Sequence, residues 1–294
     1  GFLLKLFSRM TNYNNINKLH TTLLFLLSLF CLIFSIEIQI SSVPIICFFL
    51  IATVGISHGS LDYIKGAKLL KIFKIKNKIL FYLIYIFISS LIVCSWLVLP
   101  FFTLTIFLIV ASYHFGKEDS VFGKIKKFKL SDLFLFLKGS LVILAPLYFH
   151  ASETVQIFEI LDVKFSQYNK SLIVALIFLS LISNFFINKN FFLSLLDSLT
   201  IITLNINFEP LLAFTIYFCF LHSVRHSLSL IKSMNNKDLK KGLASFLKKA
   251  MPLTIVTALG FLVAVFLLNE YYLLNSAILK VIFIGLASLT FPHI

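Results

Sequence analysis

Charge is scarce in this chain, and acid is the scarcer sign. Of 294 residues, 13% are charged, with 26 Lys and Arg against 12 Asp and Glu. A soluble domain carries roughly a quarter of its residues as charges, so so little charge excludes an ordinary water-soluble fold. Cysteine is also sparse. The four present, Cys31, Cys47, Cys94 and Cys219, all lie in apolar runs without CxxC spacing, which excludes a disulfide framework and a zinc knuckle. Linkers, low-complexity tracts and clear internal repeats are missing as well, so residues 1–294 read as a single domain. About residues 1–19 form a polar, basic N-terminal segment (Lys5, Arg9, Lys18) without a small-residue cleavage site, so no removable signal peptide is expected. The chain opens on Gly and closes one residue after His293, which suggests a trimmed sequence.

What is present in quantity is apolar. Hydrophobic residues make up 59% of the chain and the mean hydropathy is +0.99, the signature of a polytopic membrane protein with little mass outside the bilayer. Ten apolar runs follow one another, at about 20–38, 43–63, 79–99, 101–115, 133–150, 171–187, 190–206, 210–229, 251–268 and 274–292. The fold class predicted is an all-α transmembrane helix bundle of about ten helices, or eight or nine if a weak run is re-entrant. Run 101–115 is short and run 190–206 carries Asp197. The 35 Phe are read mostly as lipid-facing bulk.

The net charge of +14 could suggest nucleic acid, but its placement excludes that partner. Lys65, Lys68, Lys71, Lys74, Lys76 and Lys78 fill the loop after run two, and Lys117, Lys124, Lys126, Lys127 and Lys129 follow run four. Lys189 follows run six, and Lys232, Lys237, Lys240, Lys241, Lys248 and Lys249 follow run eight. The alternate loops hold mainly acids: Glu37, then Glu153, Glu159 and Asp162, then Glu209 and Glu270. Positive loops mark the cytoplasm, so both termini are expected inside, with every even-numbered run ending at the inner face.

Five of the seven histidines fall on even-numbered runs near that face: His58, His114, His222, His226 and His293. His222 and His226 are four residues apart, which on a helix places both on one face, about one turn apart, as two ligands of one metal require. Ionisable groups in a membrane span are costly and mark function. Asp62 lies one helical turn after His58, placed to accept a ring N–H from a ligand or from a neighbouring histidine. Glu118 or Asp119 could do the same for His114. Arg225 is read as pairing with one of these acids or as snorkelling to the inner surface. Gly55, Gly59 and Gly116 permit close helix approach. His20 is expected to be solvated and His150 interfacial, on the opposite face. Imidazoles without an obligatory carboxylate or thiolate suit Fe, Cu or Zn rather than Mg or Ca. An embedded site implies an apolar substrate arriving through lipid, for which oxygen chemistry by nonhaem iron is the natural hypothesis.

At these residues the chain resembles the Brp/Blh family, the integral-membrane β-carotene 15,15′-dioxygenases found beside microbial rhodopsins. The matching elements are Ser57-His58-Gly59-Ser60-Leu61-Asp62, Tyr113-His114-Phe115-Gly116 with Asp119, His222-x-x-Arg225-His226, and Pro292-His293. They come in the family's order and span essentially the whole chain. The resemblance implies an Fe(II) centre ligated by His58, His114, His222 and His226; Asp62, Glu118, Asp119, Arg225 and His293 are read as the groups around it, with His293 either approaching the iron or supporting a ligand. It implies oxidative cleavage of the central double bond of β-carotene by O2 into two retinals, in a multi-pass inner-membrane protein whose metal lies towards the cytoplasm. A microbial rhodopsin would then be a retinal acceptor. The polyene would thread an apolar tunnel with its midpoint at the iron; which residues line it is not legible in the sequence. Rival readings are a di-iron desaturase or hydroxylase, a metal or proton transporter, and an accessory protein for rhodopsin assembly. The first needs repeated HxxxH and HxxHH boxes, and this chain has seven histidines and one i, i+4 pair. The second predicts polar residues mid-helix, of which there are few beyond Asp197 and the histidines. The third predicts binding to opsin without cleavage.

Overall fold

The fold was analysed in a computed structural model that describes residues 13–36, 42–57, 59–74, 77, 79–122, 129–165, 169–187, 190–236 and 238–294, save the side chains of Lys65, Lys68 and Leu69. His58, Lys5, Arg9, Glu37, Lys76, Lys78, Lys124, Lys126, Lys127, Lys189 and Lys237 lie outside the described residues. Every regular element among those described is helical. They are α1 (Tyr13–Ile33), α2 (Val43–Leu50), α3 (Asp62–Ile72), α4 (Ile79–Val98), α5 (Pro100–Glu118), α6 (Ser131–Phe149), α7 (Ala151–Ile160), α8 (Lys170–Ile187), α9 (Phe191–Asn207), α10 (Pro210–Ile216), α11 (Ser223–Met234), α12 (Leu239–Asn269) and α13 (Leu274–His293). Proline near the first turn starts α2, α5 and α10, where its missing N–H and fixed φ suit a helix N-terminus. The Asp238 side chain caps α12 by accepting from the Lys241 N–H at 3.1 Å.

Eight helices among the described residues are long and apolar enough to cross a membrane, counting 43–64 and 210–234 each as one. Two of the ten predicted runs fall outside that set. α9 has only 17 residues, and α5 ends in the polar stretch Tyr113–Glu118, where the sequence places candidate site residues. Run nine, expected at 251–268, begins earlier because the lysine-bearing segment before it is also helical, giving α12 its 31 residues.

Runs two and eight are not the plain helices expected. After α2 the backbone widens into a π-helical turn, Ile51–Gly55, and tightens into a 3₁₀ turn, Gly59–Leu61, before α3 begins. Between α10 and α11 lies a second π-helical turn, Tyr217–His222. Such turns disturb the regular backbone ladder and often mark functional sites. Here the two pack against each other, and side chains bond to their carbonyls. Ser57 and Ser223 hydroxyls donate to the Val54 carbonyl at 2.8 and 2.7 Å. His20 Nε2 donates to the Phe220 carbonyl at 2.7 Å. His20, expected to be solvated, is therefore a half-buried partner of the second π-turn. His150 lies, half-buried, at the junction of α6 and α7.

Close helix approach is written in glycine at one crossing above all. A Cβ on Gly116 of α5 would strike the Leu135 carbonyl, and one on Gly139 of α6 would strike the Ser112 carbonyl. Neither backbone can retreat, so α5 and α6 lie as near as two helices can. Gly139 carries no neighbouring motif and was not anticipated. Elsewhere hydroxyls and amides join the bundle. Ser28 and Thr203 bond at 2.7 Å between α1 and α9, and Asn184 of α8 donates to Ser198 of α9 at 3.0 Å. Such interhelical bonds in lipid are worth about 0.6 kcal/mol each. Many large apolar side chains are exposed along the helices, for example Phe87, Leu97, Val256 and Phe266, as a lipid-facing surface requires.

Candidate metal and substrate site

The ends of α5 and α13 meet the π-turn and the start of α11, and four histidines come together there. The His114 ring lies 5.2 Å from that of His222 and 5.1 Å from that of His293, centroid to centroid. The His226 ring lies 5.4 Å from that of His293. His222 and His226 are four residues apart as expected, but it is the π-turn that delivers His222, fully buried, to this position.

Each of three histidines meets a carboxylate through Nδ1. His222 donates to Asp119 Oδ1 at 3.0 Å, His226 to Glu118 Oε2 at 3.0 Å, and His293 to both oxygens of Asp62 at 2.7 and 2.8 Å. An ionised carboxylate only accepts, so the hydrogen resides on Nδ1 and the lone pair on Nε2. That tautomer is the one a metal-ligating imidazole held by an outer carboxylate adopts. Two expectations are corrected in detail. Glu118 and Asp119, read as partners of His114 on their own helix, instead reach across to α11 and its preceding turn. They follow His114 in the chain by four and five residues. Arg225 takes its carboxylate from α9: it forms a two-pronged ion pair with Asp197 at 2.6 and 2.5 Å.

Around Asp119 a buried polar network closes. Its second oxygen accepts from Tyr217 at 2.6 Å. Its backbone carbonyl accepts from Arg225 at 3.3 Å and from Lys138 at 3.4 Å. Lys138 also donates to Ser120 Oγ at 3.0 Å, and Arg225 to Thr21 Oγ1 at 2.5 Å. Arg225 and Lys138 thus face Asp119 and Asp197, two cations against two anions, all at most 5% exposed. Isolated charges at this depth would be prohibitive; paired, they hold one geometry. On the other side of the cluster, Tyr85 of α4 bridges Asp62 Oδ2 and the Leu289 carbonyl, each at 3.3 Å.

Sequence reasoning missed Tyr85, Lys138 and Tyr217, and it noted Asp197 without a partner. A signal existed for Asp197 and Arg225, since charges inside a membrane must find one another. None existed for Tyr217, whose place beside Asp119 depends on the π-turn.

The donor chemistry fits a first-row metal: imidazoles with Nε2 lone pairs, tautomers held by carboxylates, and no thiolate. Among the described residues, no group of three or more His, Cys, Asp or Glu is placed to hold a metal ion; His58, one of the four predicted ligands, is outside them. The cluster opens onto a cavity of about 360 Å³ whose walls include His114, His222, His293, Tyr85, Phe115 and Phe218. Phe115 stands edge-on to His222 at 4.9 Å and Phe218 stacks on it at 5.7 Å.

The fold and this site define a membrane helix bundle with a histidine–carboxylate centre at the wall of an apolar cavity. The profile of the family described as "Beta-carotene 15,15′-dioxygenase" matches residues 49–294, and the chain belongs to that family. It is similar to the protein named "Beta-carotene 15,15′-dioxygenase" from an uncultured marine bacterium, 66A03. The two are 27% identical over 259 residues, covering 83% of this chain and 89% of that one. No solved structure matches.

Proposed function

We propose that the chain cleaves the central 15,15′ double bond of β-carotene with O2 to give two molecules of all-trans-retinal. The observation that supports this most is the three Nδ1–carboxylate pairs beside an apolar cavity, in a chain of this family. The reaction balances without an outside reductant: one C=C and one O=O bond are exchanged for two C=O bonds.

His58, His114, His222 and His226 would hold ferrous iron, which when bound supplies the activation of O2. His293, expected outside the ligand set, has the same carboxylate arrangement as His222 and His226 and counts here as a further donor. Asp119, Glu118 and Asp62 keep Nδ1 protonated and the rings turned. The Arg225–Asp197 pair and Lys138 hold the Asp119 backbone. Phe115 and Phe218 exclude water and offer flat faces to a polyene. The protein would sit in the cell's inner membrane with this centre towards the cytoplasm, where the lysine-rich loops are expected, and would hand retinal to an acceptor such as a microbial rhodopsin.

The test is expression in bacteria that accumulate β-carotene, with chromatography of the extract, with and without iron chelation. Loss of colour with retinal appearing, blocked by the chelator, is the expected result. Intact carotene beside folded, metal-loaded protein would overturn the proposal, and longer apocarotenals would move the cleavage site.

A further inference from the structure

A groove of about 500 Å³ opens between α3 and α4. Its lining is apolar at Ile64, Ala67 and Leu70, amphipathic at Tyr63 and Tyr82, and charged at Lys71. The two tyrosines also line the cavity beside the histidines and stand between the two spaces. The helices meet at Gly66, where a Cβ would strike the Phe81 ring, and the groove lies beside that contact. Both helices change character at this level. The apolar stretch 43–64 ends within the first turn of α3, and the next, Ile79–Val98, begins two residues before Phe81. The groove therefore lies where membrane-crossing helix gives way to polar surface, the level that tyrosine favours. In the turns that follow, Leu83, Ile86 and Phe87 of α4 are exposed, an apolar track long enough to seat part of an acyl chain.

Charge selects the occupant. Six lysines fall between positions 65 and 78, and no acid stands between Asp62 and Glu118. After Lys71 come Ile72 and Phe73, 75% and 68% exposed, and then the exposed Lys74. An apolar pair between two lysines suits a segment seated at the boundary of headgroups and acyl chains, with its ammonium groups among the phosphates. Basic pockets between membrane helices take anionic headgroups. The same helix opens with Asp62, whose carboxylate holds His293, so one end of α3 belongs to the histidine centre and the rest of it walls the groove.

We propose that the α3–α4 groove binds an acidic phospholipid of the surrounding membrane, with its phosphate on Lys71 and one acyl chain along the exposed face of α4. A free phosphate would meet the lysine but gain nothing from the apolar lining. A zwitterionic lipid would gain from the lining but bring its own cation among the lysines. An acidic lipid satisfies both. The lipid site is independent of the reaction proposed above.

The test uses the whole chain in a neutral detergent and reads the rise in Tm as phosphatidylglycerol, phosphatidylcholine or inorganic phosphate is added, a saturating rise giving an apparent Kd. Phosphatidylglycerol is expected to raise Tm saturably, at roughly tenfold lower concentration than either of the others. Lys71→Gln combined with Lys74→Gln is expected to weaken that binding by roughly tenfold or more. Lys248→Gln combined with Lys249→Gln removes the same charge from exposed positions on α12 that do not line the groove, and is expected to weaken it far less. Ala67→Phe fills the groove without changing charge and is expected to weaken binding as the first pair does; the lysine variants, at exposed positions, decide the matter if it does not fold. Equal responses to phosphatidylglycerol and phosphatidylcholine, an equal response to phosphate alone, equal losses from the two lysine pairs, or unchanged binding in folded Ala67→Phe would each overturn the site.

Discussion

Two carboxylate–imidazole pairs lie side by side on neighbouring turns, and they are unequal. In the Asp119–His222 pair the side chains are 7% and 0% exposed; in the Glu118–His226 pair the carboxylate is 32% exposed. Their Nδ1–oxygen distances are the same 3.0 Å. The difference lies in what stands behind each. Asp119 is held by Tyr217, Arg225 and Lys138, and Arg225 in turn by Asp197. Glu118 stands at the rim, where water can replace its partner. Equal geometry thus carries unequal energy, because a buried group that loses its partner has nothing else to bond.

Breaking the network behind the buried pair is expected to have the largest effect. Asp197→Ala leaves Arg225 buried and uncompensated, and should lower stability by about 3–5 kcal/mol, seen as a large fall in Tm in detergent. Arg225→Lys should recover little, since an ammonium cannot make the two-pronged contact. Next in size, Asp119→Asn keeps the shape but no longer enforces the His222 tautomer. It should reduce metal affinity or retinal formation by roughly 10–100-fold, measured by bound iron and product yield. The smallest effect is expected from Glu118→Gln, worth about 1 kcal/mol, because its partly exposed carboxylate is screened by water. If Glu118→Gln proves as damaging as Asp119→Asn in those two measurements, burial does not set the ranking.

The bundle was largely legible. Hydropathy alone located the apolar runs, because a helix crossing lipid must be apolar along most of its length. The candidate site was legible in residue type: His114, His222, His226, Asp62, Glu118, Asp119 and Arg225 all stood out as polar groups where polar groups are costly. Their pairing was not. Asp62 could have served several histidines and takes His293; Arg225 could have reached three acids and takes a fourth. Periodicity assumes 3.6 residues per turn, and the interruptions at Ile51–Gly55 and Tyr217–His222 break that assumption where the site forms.

Composition, run length and the placement of seven histidines were enough to determine a helical membrane protein with a histidine-rich centre, since each reflects the energy of one residue in one solvent. The tertiary structure alone decided which carboxylate holds which imidazole, which cation is neutralised by Asp197, and which side chains wall the cavity beside the histidines. Those depend on helices brought together from distant parts of the chain, at crossings set by Gly116 and Gly139 and by two π-turns whose contacts are made only once the bundle has closed.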